Sequence, residues 1–190
     1  MHSPGRNVAH PDLNAFLTEY VTAHYADTGE LTIHPGQFRL LQQRTLCDAE
    51  SGLGFKRTAS ACLAMLRQPT TFDRLIVAWV VRGGDSDAWR VSGFTSRPIG
   101  GSMLQPFNTI ALLGPGSAMI GAYTNTPEIA AVRFTLADGT TYLDEITNDS
   151  ALLYVAQTAP GQWGGEAMLQ PLDRQGQEVL TYTYELMGRS

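Results

Sequence analysis

The chain has 190 residues, 43% of them hydrophobic and 16% charged, with a formal net charge of −5. That balance describes a globular protein, one large domain or two small ones, and excludes an intrinsically disordered chain. It also argues against a nucleic-acid partner, because a phosphate-backbone binder needs clustered cations. Here Lys56 is the only lysine, and the arginines form no run.

The first eleven residues, polar and holding two prolines, read as a flexible leader. They lack the apolar core of a secretory signal. Either the protein is cytosolic, or a targeting segment has been removed before this numbering begins. From Asp12 the spacing predicts a helix. Leu13, Phe16, Leu17, Tyr20 and Val21 fall at i, i+3, i+4, i+7 and i+8, one apolar stripe. Asp12 suits the cap at its start and Gly29 its end.

Strand patterns follow. "QFRLLQQRTLC" reads as a strand, whereas "FKRTASACLAML" fits either a strand or a helical stripe through Phe55, Ala59, Cys62, Leu63 and Leu66. "DRLIVAWVVR", apolar throughout from Leu75 to Val81, reads as a central strand. That apolar run is also the longest in the chain, far short of the roughly 20 residues that span a bilayer. A glycine-led break at residues 83–87 then separates it from "AWRVSGF", which predicts a hairpin. "SRPIGGSMLQPFN" carries two prolines and a Gly-Gly pair, so residues 99–106 are expected to link two portions.

Beyond it, "TIALLG" and "SAMIGAYT" read as short strands. Val132, Phe134 and Leu136 alternate with Arg133 and Thr135, and Asp138-Gly139 supplies a turn. "SALLYVAQT" adds a strand. After a turn at Gly176, Leu180, Tyr182, Tyr184 and Leu186 share one face of a period-2 run. The expected class is therefore mainly β. Residues 107–190 are expected to form an antiparallel, immunoglobulin-like β-sandwich, with residues 12–98 as an α+β portion carrying the N-terminal helix.

Candidate chemistry is sparse. Asp85 and Asp87 could open a calcium loop, but a strand follows in place of the further oxygen ligands, and a turn explains both residues. Asp144 and Glu145 are adjacent carboxylates, with Asp149 close by; neighbours on a strand point to opposite faces, which suits a solvated strand end. His10, His24 and His34 lie on separate elements without zinc spacing. "GPGSAMIG" lacks the lysine of a phosphate loop, and Ser117 within it lies in no nucleophile elbow. Asn148-Asp149-Ser150 matches the N-glycosylation pattern, which matters only in a eukaryotic secretory context.

No cofactor or metal is expected. Fourteen residues separate Cys47 from Cys62. They are either two buried thiols or a disulfide worth about 3 kcal/mol, the second implying an oxidising compartment. Trp163, in "APGQWGGEA", is either an aromatic anchor for a ligand or partner or a lid on the core. Tyr123, Tyr142 and Tyr154 would join it as binding residues if their faces converge.

The stretch from Gly121 to Leu186 resembles small β-sandwich ectodomains of bacterial lipoproteins and membrane-anchored proteins. The matching residues are Gly121, Ile129, Val132, Phe134, Leu136, Asp138, Gly139, Leu172, Asp173 and Gly176. The resemblance covers about the last 80 residues and lies in hairpin turns, so it speaks to fold alone. It implies an extracytoplasmic location, with the anchor absent from this chain. The function expected is a non-catalytic binding or structural module that contacts a protein or cell-envelope component. The alternative is a hydrolase whose Asp/Glu acid–base pair comes from distant parts of the chain.

Overall fold

The structure, a computed structural model, describes residues 11–28, 33, 36–46, 58–68, 72–82, 88–99, 107–114, 117–136, 138–156, 165–179 and 182–186. These form one helix, α1 (Pro11–Thr28), and eleven strands. The strands are β1 (Phe38–Leu46), β2 (Thr58–Leu66), β3 (Asp73–Arg82), β4 (Trp89–Ile99), β5 (Phe107–Gly114), β6 (Ser117–Thr124), β7 (Ala131–Thr135), β8 (Thr141–Glu145), β9 (Ser150–Ala156), β10 (Gly165–Leu172) and β11 (Tyr182–Leu186). The protein is mainly β, every strand pairing is antiparallel, and the helix is N-terminal.

Three sheets result. The first runs β1-β2-β3-β4, the middle one β5-β6-β9 and the last β11-β10-β7-β8. They stack because each carries an apolar face that water disfavours. α1 covers the outer face of the first sheet: its predicted stripe buries Leu13, Leu17 and Val21, with Tyr25 one turn further on, against Cys62, Ala64, Ile76, Ala78 and Val80. The opposite face of that sheet, through Leu63, Met65, Leu75 and Val77, meets Ile110, Met119 and Leu152 of the middle sheet. The middle sheet's other face, Phe107, Ile120, Ala122, Ala151, Leu153 and Val155, meets Val132, Phe134, Ala167 and Leu169 of the last sheet. Each large side chain taken fully out of water in this way contributes about 1.5–3 kcal/mol.

This layering decides the ambiguous segment. Residues 58–66 form a strand, β2, in which every residue from Ala59 to Leu66 is buried. A strand covered on both faces loses the alternation that would have marked it. The core also runs across the expected division of the chain, since Leu41, Leu63 and Leu75 share one cluster with Ile110, Met119 and Leu152. β4 continues through Pro98 to the buried Ile99, further than the sequence pattern suggested. Proline is tolerated there because β4 is an outer strand, with no partner across its free side to need the missing N–H. Residues 100–106 of the expected linker lie outside the described residues.

At Gly121 the first two layers approach closely. A Cβ built on it would sit 2.5 Å from Leu63 Cδ1 and 3.2 Å from both Ile110 Cγ2 and Val77 Cγ2. Only a residue without a side chain lets Leu63 lie against the β6 backbone. The helix start also differs from expectation. Pro11 occupies the first turn, where its missing N–H costs nothing. Asp12 Oδ2 accepts bonds from Trp89 Nε1 at 3.0 Å and from Arg82 at 3.2 Å, pinning α1 to the β3–β4 hairpin.

Candidate functional site

The two flanks of the stack differ. On the flank made by β1, β8 and β9, long-range side-chain bonds tie the layers together. Arg44 of β1 pairs with Asp144 of β8, and Asp144 Oδ2 accepts the Leu152 N–H of β9 at 2.9 Å. Gln42 Nε2 donates to the carbonyls of Thr147 at 2.8 Å and Ser150 at 3.1 Å, and also to the Thr147 hydroxyl. Asn148 Nδ2 donates to the Leu41 carbonyl at 3.3 Å. The corner itself is a two-residue turn in which Thr147 and Ser150 exchange backbone bonds. It places Asn148 at φ 50° and Asp149 at φ 61°. Asn and Asp are among the few side chains that tolerate this left-handed region.

On the opposite flank β4 lies beside β5. Among the described residues one side-chain bond joins these two strands, from Arg97 Nη1 to the Thr109 carbonyl at 3.2 Å. Leu112 of β5 packs against the β4 backbone at Gly93, where a Cβ would meet Leu112 Cδ2 at 3.1 Å. β4 carries a bulge opposite Trp79 and Val80. Trp79, which pairs with Gly93, stacks across the seam on Tyr154 of β9, ring centroids 4.9 Å apart and planes 12° apart. The Tyr154 phenol is held above its ordinary pKa by burial. Both rings are half-buried, anchored on rigid strands at the end of the seam between the first two sheets. Large aromatic surface with a polar tip in such a place is typical of contact sites.

Tyr123 lies at the other end of the same seam. It pairs with Asn108 and Ser150, four residues along β6 from Met119, the partner of Tyr154. Burial raises its pKa first, the Asp149 charge adds to this, and Arg67 opposes it. Tyr142 sits on β8 and packs into the core between the middle and last sheets, on the far side of the middle sheet. The three tyrosines therefore do not converge. Trp163, Cys47, Asp85, Asp87, His10 and His34 lie outside the described residues. Cys62 carries a free thiol, buried on the helix-facing side of β2 and pushed well above the usual cysteine range by desolvation.

The adjacent carboxylates separate as strand geometry requires. Asp144 is engaged by Arg44 and Leu152, while Glu145 is exposed. His24 packs in an aromatic cluster with Phe94 at 4.9 Å, Tyr25 at 5.3 Å and Tyr20 at 6.2 Å. Among the described residues, no three His, Cys, Asp or Glu side chains are grouped to hold a metal ion. Trp79 was hidden in the sequence, because it sits inside an apolar run that reads as core. What sets it apart is its half-exposure beside four successive buried residues, Leu75 to Ala78. No helix among the described residues is long and apolar enough to cross a membrane. No family model, curated protein or solved structure matches the chain.

Proposed function

We propose that this chain is a non-catalytic binding module, displayed outside the cytoplasm in the manner of bacterial lipoprotein ectodomains, and that it contacts a protein or cell-envelope component. In this reading residues 107–190 are an immunoglobulin-like β-sandwich. The face-to-face packing of the middle and last sheets through Phe134, Leu169, Ile120 and Leu153 supports that architecture. The α1-covered first sheet adds a further layer.

The observation that carries the reading is the contrast between the flanks. One is tied by Arg44, Asp144, Gln42 and Asn148. The other has the β5 edge, joined to β4 through Arg97, and the half-buried pair of Trp79 and Tyr154 closes the end of the seam between the first two sheets. Native sheets usually blunt or cover their edges, so an edge left open, in a molecule that also carries an aromatic pair at a sheet seam, favours a contact surface.

The test is sedimentation of the purified chain with washed envelopes from its host, with the cytosolic fraction as control. Retention by envelopes, reduced when Tyr154 is replaced by alanine, is the expected result. Equal distribution between envelopes and buffer would overturn the proposal.

A further inference from the structure

We propose that the open edge of β5 receives an extended, acidic strand of a protein partner by strand addition. The inference rests on the binding-module reading and assigns its contact. The Thr109 carbonyl points away from β6, since Arg97 reaches it from β4. Backbone groups alternate in direction along a strand, so Ala111 and Leu113 present their N–H and C=O groups on the same side. Among the described residues nothing bonds to them. Several edge groups on the opposite flank are occupied: the Leu152 N–H by Asp144, the Ser150 carbonyl by Gln42 and the Leu41 carbonyl by Asn148.

A row of alternating donors and acceptors, repeating every ~6.8 Å, is matched by another extended polypeptide and not by a sugar or an acyl chain. Charge narrows the partner further. β4 and β5 together hold two exposed arginines, Arg90 and Arg97, and no acidic residue, in a chain whose net charge is −5. A carboxylate-bearing strand would complement that flank.

The experiment titrates the full chain with a capped synthetic peptide of the β5 sequence, Phe107 to Gly114, flanked by glutamates, and follows amide hydrogen exchange. Saturable binding with new protection at the Ala111 and Leu113 amides is expected. Affinity should fall about tenfold or more in Ala111→Pro, which removes an outward donor while leaving the β5–β6 ladder intact. Arg97→Glu should weaken binding as well. If Ala111→Pro does not fold, the exchange pattern of the unaltered chain and Arg97→Glu decide the matter. Absence of binding, protection at other sites, or affinity unchanged from the unaltered chain in both variants would overturn the inference. Retention on envelopes by the unaltered chain and Ala111→Pro alike would overturn it while leaving the module reading standing.

Discussion

Gly121→Ala tests the stacking of the first two sheets directly. A Cβ at this position would approach Leu63 Cδ1 to 2.5 Å, nearer than carbon atoms pack, and would press on Val77 and Ile110 at 3.2 Å. Leu63 and Val77 are fully buried and Ile110 nearly so, so Leu63 has no open space into which to turn. Overpacking of this kind costs about 1–3 kcal/mol. An unobstructed glycine in a strand would behave in the opposite way, with alanine stabilising by about 0.5–1 kcal/mol. The net expectation is a loss of about 1–2 kcal/mol, or a fall in Tm of about 2–8 °C for a chain of this size. Urea unfolding followed by tryptophan emission measures it. Adding Leu63→Ala should remove the clash, so the double variant should lose less than the sum of the two single losses. A Gly121→Ala chain with a raised urea midpoint, or strictly additive losses, would refute the packing of Leu63 against β6.

Asp149→Gly should stabilise the protein by about 0.5–1 kcal/mol, because glycine adopts the left-handed turn without the penalty that a side chain meets there. Asn148→Gly should gain less, since it forfeits the bond to the Leu41 carbonyl; equal gains in thermal melts would contradict that role. Asp144→Ala strands both Arg44 and the Leu152 N–H and should cost about 1–3 kcal/mol, whereas Asp144→Asn keeps an acceptor for Leu152 and should cost less. Identical unfolding midpoints for those two variants would rule out the Leu152 bond. Tyr154 has a folded pKa above its ordinary 10.0. The stability it contributes is whole below that value and is lost as pH rises through the folded pKa. Tyr154→Phe should therefore flatten the alkaline decline in unfolding free energy; parallel declines from pH 9 upward would show that the phenol is not desolvated.

Local pattern was enough for several features. The stripe from Leu13 to Val21 specified α1, the alternation of Val132, Phe134 and Leu136 specified β7 with its inward face, and Asp138-Gly139 marked its turn, where Gly139 takes φ 82°. Each depends on neighbours a few residues apart, and such spacing is legible in one dimension. Tertiary structure decided the rest. The run from Ala59 to Leu66 became a strand because α1 and the middle sheet cover its two faces, and burial on both sides erases the period that separates strand from helix. Pro98 stayed in β4 because that strand is an outer one. Arg44 found Asp144 and Trp79 found Tyr154 across long stretches of the chain. The open flank of β5 exists only because three sheets stack in one order. Hydrophobic periodicity names the face that a strand will bury, but which sheet covers it, and which edge is left over, depends on contacts between residues that the sequence holds far apart.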